Sequence, residues 1–507
     1  MSSTRTSAPA ESTEGDASPA RGPLHVVHIA SEVAPYSETG GLGVVAGALP
    51  VALAAAGLDI SIITPCYQDV PESLTIPLGT PFEVTVGRTR VRTEVRLGRL
   101  DAAGNALEGD AIRDGAGVPV YLVKCDPAYG RPGLYGPRPS SDFPDNAWRF
   151  GLLAEAALEL CRRLRLHPDI LHCHDWQAGL VPLLCRERLG GWVKSVQTIH
   201  NLGYHGTFPP DTALELGLPE HLFSPEGFEF WGWLSFLKAG LVFSDRITTV
   251  SPSYAEEIQT PRHGHGLDGV LRARSKELTG ILNGIPPERH SPSDLRLPAP
   301  FSAEDLSGKA VCKAALCAEF GIDDAPVPLL AVVSRLVAQK GMDLIVPGLW
   351  NRLDSGQVRL VVLGTGDPEL ERTLSALAQR FPGRAGVRIA FDEAAARLVL
   401  AGADALLMPS RYEPCGLTQL FGLRYGTLPL ARATGGLKDT IRPNETGFVF
   451  DDTSPHALDW AIGAFIEAYY DAPRLLAMRQ AAMREDFTWV RSAQRYAALY
   501  EEVHGAG

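Results

Sequence analysis

Short β-branched runs alternate with longer helical stretches along nearly the whole chain, and the alternation starts over near its midpoint. Residues 24–30 read as a strand, a helix follows near 43–56, and 59–64 read as the next strand, which is βαβ grammar. Apolar runs at 171–174, 195–200 and 247–251 each end in polar residues that open a loop, so a parallel sheet with loops at its C-terminal edge is expected. A second set of strands is expected at 327–333, 358–364, 387–391, 405–410 and 447–450. In that half Asp367 is placed to cap a helix whose first turn holds Pro368. Between 286 and 301 Pro, Ser and charged residues dominate and resist regular structure. The expectation is an α/β chain with a tail over 1–22, a domain over 23–290, a second over 291–485, and a final helix over 486–507. Its apolar spacing suits packing back near the first domain. Two doubly wound parallel sheets facing one another leave a central cleft lined by strand-end loops.

Length and charge narrow the function. At 507 residues with 45% hydrophobic content the chain can bury large cores. Its apolar runs are far shorter than the ~20 residues of a membrane span, and the first twenty residues lack the apolar stretch of a secretion signal. A cytoplasmic setting is expected, and eight scattered cysteines suit reduced thiols. A net charge of −12 without a basic run argues against nucleic acid.

The loop Tyr36-Ser37-Glu38-Thr39-Gly40-Gly41-Leu42-Gly43 joins the first strand to the first helix. Its backbone N–H groups could cradle phosphate or sugar oxygens, or the glycines could simply make a tight turn. A second Thr-Gly-Gly-Leu, Thr434-Gly435-Gly436-Leu437, lies at a comparable place in the other half. His172-Cys173-His174-Asp175-Trp176 ends a strand; its alternate histidines resemble a metal pair, but no third ligand has suitable spacing, so no metal is expected. His172 is read as packing in the sheet while His174, Asp175 and Trp176 reach the loop. His200 and Asn201 end the next strand at the cleft edge, whereas His263-Gly264-His265 reads as a flexible loop. Arg335 leaves a strand and Lys340 precedes a helix, together the outline of a diphosphate clamp. Pro414 and Gly416 force an irregular turn that aims Glu413 into the cleft, and Cys415 has no neighbouring base to make it a nucleophile. No Asp-x-Asp triplet is present to grip a metal-bound diphosphate, so cations and helix ends must do that work.

On these residues the chain resembles the bacterial glycogen synthases and plant starch synthases, retaining GT-B glucosyltransferases of glycosyltransferase family 5 built from two Rossmann-like domains. The resemblance runs from about residue 24 to the C-terminal helix. It rests on Ser31-Glu32-Val33-Ala34-Pro35, Thr39-Gly40-Gly41-Leu42, His174-Asp175-Trp176, Thr198-Ile199-His200-Asn201-Leu202, Phe236-Leu237-Lys238-Ala239-Gly240, Leu282-Asn283-Gly284, Ser334-Arg335-Leu336 with Lys340-Gly341, and the stretch 409–420. It implies transfer of glucose from ADP-glucose to the non-reducing end of an α-1,4-glucan, without a cofactor. The nucleotide sugar would lie mainly on the second domain and the glucan on the first. His200, Arg335, Lys340 and Glu413 would be catalytic. Thr39, Gly40, Gly41, Asn283, Cys415, Gly416, Leu417, Thr418, Thr434, Gly435 and Gly436 would bind the donor, and His174, Asp175, Trp176 and Asn201 would line the acceptor side. The resemblance further implies that the backbone carbonyl of His200 favours oxocarbenium-like charge and that attack is front-face, the donor phosphate helping to take the acceptor proton.

The chain departs from the family pattern at Glu38, where Lys is common, at Val44, where Asp is common, and at Pro286, where Asp is usual. Phe421 stands where related GT-B enzymes place a second Glu. The changes at Glu38 and Val44 leave two other readings open: a related enzyme with another donor or acceptor, such as glucose 1-phosphate, and a glucan-binding protein without turnover. No lysine context suggests a pyridoxal phosphate site, so a phosphorylase is disfavoured. Acceptor length, nucleotide base, oligomeric state and allosteric control are not encoded in any recognisable motif.

Overall fold

A computed structural model describes residues 22–138, 141–190, 193–286 and 290–505. The expected tail therefore falls almost wholly outside the described residues.

Among the described residues, twelve strands belong to the first half: β1 His25–Ile29, β2 Asp59–Pro65, β3 Ile76–Val86, β4 Thr89–Leu100, β5 Val118–Lys124, β6 Ile170–His174, β7 Lys194–Ile199, β8 Thr207–Phe208, β9 Glu229–Phe230, β10 Trp233–Ser235, β11 Arg246–Thr249 and β12 Leu278–Gly280. Nine of them form one sheet in the order β12-β11-β7-β6-β1-β2-β5-β4-β3. Its parallel centre is buried on both faces, which is why β1 and β6 read as continuous apolar runs broken only by His and Cys. The β3–β4–β5 edge is antiparallel, a feature the sequence reading did not anticipate. Strands β8, β10 and β9 make a small separate sheet.

The second sheet is wholly parallel, ordered β15-β14-β13-β16-β17-β18 from β13 Leu329–Val333, β14 Arg359–Gly364, β15 Ala385–Ile389, β16 Ala405–Met408, β17 Leu428–Arg432 and β18 Phe448–Phe450. Strand β17, which carries Pro429 between two parallel neighbours, was not among the expected strands. Asp367 caps the helix Pro368–Arg380 by accepting from the N–H groups of Glu369 (2.8 Å) and Leu370 (3.4 Å). The final helix, Trp489–Gly505, returns across the molecule and packs with the first helix, Gly41–Ala55, on one face of the first sheet. Trp489, Tyr496 and Tyr500 are buried there with Val26, Ile170 and Val196. Among the described residues no helix is long and apolar enough to cross a membrane.

Candidate active site

Parallel register assembles the first wall of the cleft. Strand β1 pairs with β6 so that His28 lies opposite His172, and β6 pairs with β7 so that His174 lies opposite Thr198. Side chains alternate along a strand, so His28, His172, His174, Thr198 and, two residues on, His200 share the face covered by the final helix. His172 is fully buried, its Nδ1 2.7 Å from the Tyr500 hydroxyl and its Nε2 2.5 Å from Thr198 Oγ1. His28 Nδ1 lies 3.0 Å from His174 Nε2, and His174 Nδ1 lies 2.9 Å from Nε2 of the half-buried His200. Burial pushes His28 and His200 down to about 3, and burial with neighbouring imidazoles holds His172 and His174 well below the usual range. All four rings are neutral at physiological pH.

Asp175 links this row to the loop after β7. It adopts φ 55° and ψ −170°, a region nearly reserved for glycine, which costs on the order of 1–3 kcal/mol. Its carboxylate accepts from the N–H of His200 (2.7 Å) and Asn201 (3.4 Å). Burial raises its pKa to about 7 against the pull of those donors, and Glu32 adds like-charge repulsion.

The glycine loop is organised from within. Glu32, nearly buried, accepts from Thr39 N–H (2.5 Å), Thr39 Oγ1 (2.8 Å) and the Tyr135 hydroxyl. Burial raises the Glu32 pKa, and the adjacent Glu38 contributes in the same direction. Gly40 and Gly41 remain exposed, and a Cβ on Gly41 would lie 3.8 Å from Leu417 of the other domain.

The second wall carries charge. Lys340 Nζ meets the buried Glu413 carboxylate at 2.5 Å, and Ser410 donates to the same oxygen at 3.1 Å. Arg335 is exposed and reaches across the cleft, donating to the Tyr204 hydroxyl at 3.2 Å. Gly203 leaves room for the Tyr412 hydroxyl, which a Cβ there would approach to 2.6 Å. Lys340, Ser410 and the part-exposed Thr418 line a small cavity inside the second domain, with Val333, Met342 and Met408. Asn283 and Cys415 are both buried and in contact, the Asn283 N–H lying against the thiol; burial pushes Cys415 up to about 12, so it is no nucleophile at neutral pH.

Several expected contacts are placed differently. His174 is fully buried with both nitrogens spent on other histidines, so it reaches no acceptor directly. Trp176 is nearly buried against Phe150, Phe208 and Phe236, a packing anchor under the wall. Thr434 and Gly435 donate to the Glu257 carboxylate at 3.0 and 2.9 Å, and Gly436 N–H binds Glu413 O, so this second glycine turn is closed by protein partners. Glu413 is held on Lys340 and is not open to the cleft in this conformation. His265 packs its ring 5.3 Å from Tyr412 and is part of the interdomain contact, not a free loop.

The third imidazole thought missing beside His172 and His174 exists: one ligand atom from each of them and from His28 lies within 4.8 Å of the others. The hydrogen bonds already made by His172 and His174 compete for those lone pairs. Sequence reasoning missed His28, Tyr135 and Glu257 as parts of this region. Only the β1–β6 register could have pointed to His28.

Two doubly wound domains meeting over a cleft, one wall cationic and the other polar, define a GT-B glycosyltransferase. Residues 25–273 match the starch synthase catalytic domain, and residues 322–484 match glycosyl transferases group 1. The chain is 48% identical over 494 residues to a glycogen synthase of Anaeromyxobacter sp. (strain Fw109-5), covering 95% of this chain and 99% of that one. It is 46% identical to a glycogen synthase of Myxococcus xanthus, again over 95% and 99%. The catalytic domain of starch synthase IV from Arabidopsis thaliana, solved bound to ADP and acarbose, superposes with a TM-score of 0.86 at 31% identity, covering 95% of this chain and all of that one. Sucrose-phosphate synthase from Thermosynechococcus elongatus, at 18% identity and a TM-score of 0.60, shares the fold. The chain belongs to the glycogen synthase and starch synthase family.

Proposed function

We propose that this enzyme transfers glucose from ADP-glucose to the non-reducing end of an α-1,4-glucan with retention of configuration. The observation that carries the reading is the convergence on one cleft of Arg335, the Lys340–Glu413 pair and the His200–Asn201 loop, with Arg335 and Tyr204 in contact across it. Arg335 and Lys340 hold the donor diphosphate and balance the charge that develops on the leaving nucleotide. Once phosphate competes for Lys340, the Glu413 carboxylate is released to the donor sugar. His200 lies against the reacting face with its backbone carbonyl towards the oxocarbenium-like carbon, and the donor phosphate helps take the acceptor proton. Arg335 and Lys340 supply the positive charge at the diphosphate that a metal would otherwise supply, so no cofactor is needed.

An acceptor bearing phosphate, such as glucose 1-phosphate, is disfavoured because Glu38 lies in the glycine loop, with the buried Glu32 carboxyl close behind it. The setting we infer is the cytoplasm, since all eight cysteines are free thiols, which suits a reducing compartment. The test is incorporation of labelled glucose into glycogen from ADP-glucose and, in parallel, UDP-glucose. Label that appears in glycogen, is released by an α-1,4-specific hydrolase and disappears in Glu413→Ala supports the reading. Label on glucose 1-phosphate, or none in glycogen, refutes it.

A further inference from the structure

We infer that His28 and His174 are positioning residues that fix His200 as its Nδ1–H tautomer, so that this imidazole presents a hydrogen-bond donor, not an acceptor, to the cleft. The inference rests on the reading of the cleft as the site of the donor sugar.

Three rings are connected in a line: His28 Nδ1 to His174 Nε2 at 3.0 Å, and His174 Nδ1 to His200 Nε2 at 2.9 Å. Burial holds each of them below the range in which it would take a second proton. A neutral imidazole has one donor nitrogen and one acceptor nitrogen. The line therefore admits only two proton orders. In the outward order His28 donates to His174 and His174 donates to His200, leaving a proton on Nδ1 of each ring. In the inward order every proton sits on Nε2.

The inner end of the line decides between them. His28 is fully buried and its Nε2 has no hydrogen-bond partner among the described residues. The inward order would strand an N–H donor there, whereas the outward order strands only a lone pair. Buried orphan donors are the rarer and costlier defect. The nearest imidazole offers no escape, because both nitrogens of His172 are engaged, with Tyr500 and with Thr198. The outward order leaves Nδ1–H of His200 at the strand end that opens on the cleft, next to the loop whose Tyr204 meets Arg335. A donor there binds an oxygen lone pair of the sugar. It cannot serve as the base for an acceptor hydroxyl, which is consistent with leaving that proton to the donor phosphate.

The measurement is long-range ¹H–¹⁵N correlation on the full-length enzyme labelled with ¹⁵N-histidine, at neutral pH and without substrate, with the His200 signals assigned by their loss in His200→Gln. The expected spectrum shows His200 protonated at Nδ1. In His28→Asp, whose carboxylate at the place of Nδ1 accepts from His174 Nε2 and cannot donate to it, the His200 pattern shifts towards Nε2–H and kcat for glycogen-dependent ADP release falls about fivefold, the size of one hydrogen bond. His28→Asn, whose amide can donate from the place of Nδ1, restores both the pattern and the rate to within about twofold of wild type. An Nε2–H pattern in the wild type overturns the inference whether or not the variants fold, and so does an unchanged Nδ1–H pattern in folded His28→Asp. An Nδ1–H spectrum from an enzyme that releases no ADP contradicts the proposed reaction and leaves the proton order standing.

Discussion

The two walls of the cleft solve the same burial problem in opposite ways. The strand-end row of the N-terminal wall is polar with little charge: four imidazoles are kept neutral, and burial raises Asp175 to about 7. The C-terminal domain keeps its charges and pairs them. Lys340 holds Glu413 at 2.5 Å, and deeper in the domain Asp404 binds Lys313 and Arg479, each at 2.6 Å. Burial opposes ionisation of Asp404, but Arg479 and Lys313 outweigh it and hold the carboxyl below its usual range. A desolvated charge is costly unless matched. A row meant for sugar hydroxyls does well to carry little, whereas a wall meant for a diphosphate must store cations on carboxylates that a stronger anion can displace.

Four outcomes would break or sharpen this contrast. The largest effect on catalysis concerns Lys340→Met, which should lower kcat/KM for ADP-glucose by about 10²–10³-fold in steady-state kinetics, as loss of a group aimed at developing charge does. Next is Asp404→Asn, which leaves Lys313 and Arg479 short of their counter-charge. Denaturant unfolding should show a loss of about 3–5 kcal/mol, with KM unchanged because Asp404 precedes β16, away from the cleft groups.

The third outcome is in pH. His28 and His200 have folded pKa values of about 3 against an unfolded value of about 6.5. Their contribution is fully present above about 6.5 and is lost as pH falls from there towards 3, at about 1.4 kcal/mol per unit for each ring. Asp175 runs the other way, with a contribution present below about 3.9 and lost as pH rises through about 7. Asp404, lowered, loses its contribution only as pH falls below about 3.9. Hydrogen exchange between about pH 6 and 4.5 should therefore show the N-terminal sheet opening before the C-terminal one. Simultaneous opening would remove the distinction. The smallest effect is for Glu38→Lys: relief of repulsion beside Glu32 should lower KM for ADP-glucose by about two- to fivefold.

Much of the fold was legible because parallel strands buried on both faces leave long apolar runs, and because Asp367-Pro368 is an unambiguous helix start. The β3–β5 edge and β17 were not, since their half-exposed or proline-bearing runs lack that signature. At the site, Arg335, Lys340, His200 and Glu413 stood out as polar residues at strand ends; the structure pairs Lys340 with Glu413 and sets Arg335 against Tyr204, in the loop that His200 opens. What local sequence could not carry was partnership. That His174 faces inward to His28, that Glu413 rests on Lys340, and that Glu257 closes the turn at Thr434 all depend on register and domain contact between residues far apart in the chain.

The most direct test of the division between the walls is calorimetric binding of ADP to wild type, Lys340→Met and His200→Gln. The account predicts that ADP binding weakens at least about tenfold in Lys340→Met, the loss of one charge-assisted contact, and is unchanged in His200→Gln. Weakened binding in His200→Gln with full affinity in Lys340→Met would contradict it.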